Sequence, residues 1–121
     1  METQQRTSMK RQFNTTVSGE PFDEKTIEQV WKKGIADPGF VNFKRDSLGM
    51  PMLLQKYGAG GILGWEIDHI MPVVLGGTDD ITNLQPLHWE QNRAKGDTPP
   101  KDTRLLHEAM TFCQLPAPCN I

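Results

Sequence analysis

GWEIDHIMPVVLGGTDDITNLQPLHWEQNRAKGD, residues 64–97, decides how the chain reads. Trp65, Ile67 and His69 alternate with Glu66 and Asp68, the period of two that marks a strand. Residues 72–82 carry a proline, a Gly-Gly pair and an Asp-Asp pair, which predicts an irregular loop. Asn83-Leu84-Gln85-Pro86-Leu87 predicts a second short strand, weakened by its proline. From His88 or Trp89 to Lys95 the helix formers Glu90, Gln91, Arg93 and Ala94 dominate, and Gly96 stops the run. The order is therefore strand, loop, strand, short helix within one compact stretch.

Charge divides the two strands from the residues C-terminal to them. Residues 57–92 contain no Lys or Arg, whereas Glu66, Asp68, Asp79, Asp80 and Glu90 all fall inside. Basic residues resume at Arg93, Lys95, Lys101 and Arg104. A two-strand region so composed has no cationic side chain with which to grip a phosphate, so any phosphate chemistry there calls for a metal ion. Over the whole chain the net charge is -2, so affinity for nucleic acid has to come from a local patch.

Working outward, Asp23 is an N-cap candidate for a helix near 24–33 carrying Ile27, Val30 and Trp31, with Gly34 as its stop. Asp37-Pro38-Gly39 predicts a turn; Phe40–Phe43 reads equally as a short strand or a loop; Gly58–Gly61 predicts a loop. Downstream, Asp102 caps an expected last helix with Leu105, Leu106, Ala109, Met110 and Cys113 on one side. The 121 residues leave room for one domain. The expected organisation is a flexible tail over 1–20, a domain over 21–115 with its core at 64–97, and a C-terminal tail over 116–121. A hydrophobic share of 36% with 23% charged residues argues against wholesale disorder. No apolar run is long enough to span a membrane, and the polar N-terminus lacks the apolar region of a secretory signal. Cys113 and Cys119 do not make a disulfide framework, and a cytoplasmic setting is the simplest expectation.

Residues 64–97 closely resemble the HNH nucleases, whose core is the ββα-metal or His-Me finger. The elements that carry the resemblance are Asp68-His69-Ile70, Pro72, Gly76-Gly77, Asn83-Leu84, Leu87, Asn92 and Lys95, in that order and spacing. The implied fold class is α+β, a small single domain with a strand–loop–strand–helix finger and flanking helices. The implied activity is metal-dependent DNA endonuclease chemistry, a phosphodiester hydrolase leaving a 5′ phosphate and a 3′ hydroxyl. His69 takes the place of the general base, suited to it by an ordinary pKa of about 6.5. Asp68 and Asn92 take the place of the ligands of one divalent cation, and Asn83 that of the residue tying down the loop and fixing His69.

Two departures from the family pattern bear on the metal. The paired Cys-x-x-Cys knuckles of many relatives are missing, so no structural zinc is expected. Asn92 stands where the last histidine of the motif often stands, which favours oxygen-preferring Mg²⁺ or Mn²⁺, with Zn²⁺ or Ni²⁺ as alternatives. Arg93 and Lys95 are the candidate phosphate contacts; Lys95 is favoured because it lies three residues from Asn92 on the same helix face. His88, one turn before Asn92, is either a capping and packing residue or a group touching the metal or substrate. The competing functions are a non-cleaving nucleic-acid module of a larger DNA-processing assembly, and a toxin nuclease with an immunity partner.

Overall fold

The computed structural model describes residues 11–101. The helix expected from Asp102, the C-terminal tail and residues 1–10 lie outside the described residues. Asp23 caps the first helix as expected: its carboxylate accepts a hydrogen bond from the Thr26 amide at 2.8 Å, opening α1 (Glu24–Trp31). The helix ends at Trp31, two residues earlier than its periodicity suggests. The amides of Lys33 and Gly34 bond to Val30 and Trp31, three residues back, so the last turn tightens and closes.

Three short antiparallel strands follow, β1 (Ile35–Ala36), β2 (Phe43–Arg45) and β3 (Pro51–Leu53), in that spatial order. The strand that 40–43 left open begins only at Phe43. Phe40 and Val41 lie exposed before it, and Asn42 takes a positive φ of 62° to turn the chain in. Between β2 and β3 the buried Asp46 holds the turn, accepting from the amides of Leu48 and Met50 through Oδ1. Its Oδ2 accepts from the His88 amide at 2.9 Å, which joins this sheet to the next.

The finger occupies the second half: β4 (Trp65–His69), β5 (Leu84–His88) and α2 (Trp89–Lys95). β4 and β5 pair antiparallel, with Trp65 opposite His88, Ile67 opposite Pro86 and Asp68 opposite Gln85. Pro86 is tolerated because the Ile67 amide points the other way, donating to the Asn14 side chain at 2.8 Å. The pair is therefore a non-hydrogen-bonded one, where a missing N–H costs no ladder bond. The outer edge of β4 is closed by three different partners: the Gly58 amide on Trp65 O, Asn14 on Ile67 and Lys95 on His69 O.

Among the described residues the architecture is thus α+β, with two helices and two antiparallel sheets. The core gathers Phe22, Val30, Trp31, Met52, Trp65, Ile67 and Leu84 from α1 and both sheets. Trp65 sits at its centre with no exposed surface, 5.0 Å from the Trp31 ring and 4.9 Å from that of Tyr57. No helix among the described residues is long and apolar enough to cross a membrane.

Two expectations change here. An alternating strand implies one wet face, yet all five residues of β4 are buried, because α2 covers the face carrying Glu66 and Asp68. The expected N-terminal tail is docked over residues 11–20. Asn14 accepts from the Tyr57 hydroxyl as well as from Ile67, and the Val17 amide donates to the Asp79 carboxylate at 3.1 Å. A polar composition reads as a tail, but here the polar groups satisfy the open edge of β4.

Candidate active site

Adjacent strand residues face opposite ways, so β4 sends Asp68 and His69 to either side of itself. Both nevertheless line one small cavity of about 30 Å³, roughly the space of a single water or ion, with Arg11, Asn14, Pro72 and Asp97. His69 is 5% exposed, and the Phe22 ring packs 5.9 Å from its own. Its Nε2 lies 2.8 Å from Asp79 Oδ1. An ionised carboxylate only accepts, so Nε2 carries the proton and the lone pair of the neutral ring is on Nδ1. Burial pushes the His69 pKa down, an effect the Asp79 bond partly offsets, so the imidazole stays neutral near pH 7.

Asp68 is buried as well. Its Oδ2 accepts from Gln85 Nε2 at 2.9 Å, across the β4–β5 pair, and Lys95 Nζ stands 3.3 Å from Oδ1. Burial raises its pKa above the ordinary carboxylate value, against the pull of Lys95 and Gln85 in the other direction. A carboxyl group desolvated to this degree gains from any further cation placed beside it. Asn92, 3% exposed, faces β4 from α2 and donates from Nδ2 to Glu66 Oε1 at 2.8 Å. That bond fixes which end of the amide is which and leaves Oδ1 as its acceptor. Asp68 brings a carboxylate and Asn92 an amide oxygen, donors of the kind a hard divalent cation takes, although Asp68 lines the cavity and Asn92 does not. No cluster of three His, Cys, Asp or Glu residues suited to a metal exists among the described residues, so the fit rests on these two oxygen donors.

The loop between the strands is built to present Asp79. Buried Asn83 accepts from the Met71 amide at 2.8 Å and donates to the Met71 and Thr78 carbonyls. Gly77 passes so close to Met71 that a Cβ would lie 1.7 Å from the Met71 carbonyl oxygen, which is why the second glycine of the pair admits no side chain. Asn83 therefore ties the loop, as the sequence suggests, whereas the ring of His69 is held by Asp79 instead. Replacing Asn83 by alanine strands the Met71 amide in a buried position and is expected to cost on the order of 3 kcal/mol, to be read from urea unfolding. A cost under about 0.5 kcal/mol contradicts that role.

These contacts give each of Asp68, His69, Asn83 and Asn92 a polar partner. Residues 58–98 match the family model described as HNH endonuclease. Residues 58–98 thus form an HNH domain. Its finger, β4 to α2, lies wholly inside the matched residues, and the family's activity is that of a nuclease, a hydrolase. Nothing among the curated proteins matches the chain, and nothing among the solved structures does. The match leaves α1, the three-stranded sheet and the docked segment 11–20 outside it.

Within the HNH domain, the geometry changes one sequence expectation, the ranking of Lys95 over Arg93. Lys95 was the favoured phosphate contact, but its Nζ donates to the His69 carbonyl at 3.0 Å besides pairing with Asp68, and its side chain is 18% exposed. Arg93 is the more open of the two at 47%, although its Nη2 pairs with Glu66 at 2.7 Å. The i, i+3 spacing correctly put Lys95 on the Asn92 face, and that face turned out to be the buried one. His88 takes the capping and packing role, the first of the two readings its sequence offers: Nδ1 accepts from the Glu90 amide at 3.1 Å and Nε2 donates to the Ile62 carbonyl at 2.7 Å. With both nitrogens so engaged, His88 packs the 58–63 loop against α2 and is absent from the cavity lining. The sequence reading missed Asp79, Glu66, Gln85 and Arg11. The excess of carboxylates in a stretch without cations was the one available signal for the first two.

Proposed function

We propose that the protein is a metal-dependent DNA endonuclease in which His69 is the general base and Asp68 and Asn92 are the metal ligands. The observation that carries the proposal is the pairing of His69 Nε2 with Asp79 beside the buried Asp68, the two catalytic side chains lining one cavity. A buried imidazole with its proton pinned on Nε2 has Nδ1 available to take one. A water placed at the phosphorus gives its proton to Nδ1 and forms the new P–O bond, while the P–O3′ bond breaks and the 3′ oxygen is protonated from solvent. Asp79 stabilises the imidazolium formed in that step, as a carboxylate on the far nitrogen does. Asp68 and Asn92 would hold a divalent cation, Mg²⁺ or Mn²⁺, which when bound would neutralise charge on the phosphate. Lys95 ties the His69 carbonyl and the Asp68 carboxylate to α2, so the base and the metal ligand share one rigid mount.

This bond-breaking leaves a 5′ phosphate and a 3′ hydroxyl, which DNA ligase joins. Nicked plasmid made by the protein is expected to be resealed by ligase alone. Nicks that ligase leaves open contradict the assigned direction of displacement.

DNA contact beyond the scissile phosphate is assigned to Arg93 before Lys95. Arg93→Ala is expected to lower the slope of log K against log salt by about one for a short duplex in Ca²⁺. Lys95→Ala, whose ammonium is committed to Asp68 and His69, is expected to leave that slope nearer wild type. The reverse ranking overturns the assignment.

A further inference from the structure

We infer that Arg11, which lies outside the matched HNH residues, binds the phosphate presented to Asp68 and His69. The inference rests on the nuclease reading above and extends it to a substrate-binding residue. Arg11 lines the same cavity as both catalytic side chains. Its Nη1 donates to the Thr15 carbonyl at 2.9 Å and to Thr15 Oγ1 at 3.2 Å. Those bonds use one nitrogen of the guanidinium, and Nη2 and Nε keep three N–H donors, enough for the two-pronged grip on a phosphate.

Each of the neighbouring cations has a carboxylate partner. Glu66 holds Arg93 and Asp68 holds Lys95, whereas no carboxylate forms an ion pair with Arg11 among the described residues. The segment that carries Arg11 is anchored at successive points on the finger. Phe13 stacks under the Arg93 guanidinium at 4.7 Å, Asn14 accepts from Ile67 of β4, and the Val17 amide donates to Asp79. A side chain mounted on such a segment is held in place before substrate arrives, which is the condition for a charge-assisted contact to contribute fully. Aimed at a phosphate, the guanidinium offsets negative charge where β4 and β5 have no cation of their own.

The test uses the full chain and two readouts. Binding of a fluorescein-labelled DNA duplex is measured across salt concentrations in Ca²⁺, and plasmid nicking is measured in Mn²⁺. Arg11→Gln keeps a donor for the Thr15 carbonyl and removes the charge. It is expected to lower the log K–log salt slope by about one and kcat/KM by roughly 10- to 100-fold. Arg11→Lys is expected to restore the slope while leaving kcat/KM down by roughly fivefold, because the fork is lost. Thermal melting of both variants is compared with wild type. If Arg11→Gln does not fold, Arg11→Lys decides: a wild-type kcat/KM overturns the inference. If Arg11→Gln folds and both slope and kcat/KM equal wild type, the inference is overturned while the nuclease reading stands. Wild-type protein that binds duplex without nicking it overturns the nuclease reading, and the salt slope of Arg11→Gln still decides the phosphate contact. Failure of wild type to bind duplex overturns both.

Discussion

His69→Ala is expected to abolish plasmid cleavage while metal binding stays close to wild type. The imidazole lines the cavity with a lone pair on Nδ1, since burial favours its neutral form and Asp79 holds the proton on Nε2. Loss of a general base typically lowers the rate by 10² to 10⁴-fold, and the larger figure applies where no neighbour substitutes. Asp79, the nearest alternative, is anchored by the Val17 amide and has no described route to the position Nδ1 occupies. The substitution also removes a ring packed on Phe22, so melting temperature has to be measured beside activity. A folded His69→Ala protein that nicks plasmid within about tenfold of wild type refutes the assigned base.

Asp68→Ala is expected to remove metal binding and cleavage together. The remaining donor, the Asn92 amide oxygen, is neutral, and a lone neutral oxygen is a weak holder of a hard cation. The substitution also releases Lys95, whose ammonium then has the His69 carbonyl as its described partner. That leaves a positive charge where the cation is to sit, so the loss of affinity exceeds that of a ligand alone. Calorimetric titration with Mn²⁺ is the check, and the expected result is no measurable heat of binding. Affinity equal to wild type contradicts the ligand role, whatever happens to the activity. Together the two variants separate the base from the metal site, because only one of them is expected to lose the metal.

The finger was legible in the sequence because its signals are local. Alternation over Trp65–His69, a loop marked by Pro72 and Gly76-Gly77, and helix formers closed by Gly96 each speak within a few residues. The structure places β4, β5 and α2 within a residue or so of those readings. What could not be read is what pairs across distance. Asp79 meets His69 from within an aperiodic loop, and Val17 meets Asp79 from 62 residues away. Arg11 and Asn14 belong to a stretch whose composition is that of a tail, and only the unpaired edge of β4 gives their polar groups a purpose. Asp46 is the same case: a carboxylate in a turn that is buried to accept the amide at the start of α2. The reversal between Arg93 and Lys95 has a related cause. Helical spacing tells which residues share a face, but whether that face is covered depends on the strand beneath it, and Asp68 and the His69 carbonyl draw Lys95 inward.

The most direct measurement of the central claim is nicking of supercoiled plasmid by wild-type protein and by His69→Ala, purified identically, in Mg²⁺ and in Mn²⁺, with and without EDTA. Open-circular product is expected from wild type in at least one of the two metals, none in EDTA, and none from His69→Ala in any condition. Cleavage that persists in EDTA, or equal cleavage by both proteins, contradicts a metal-dependent nuclease with His69 as its base.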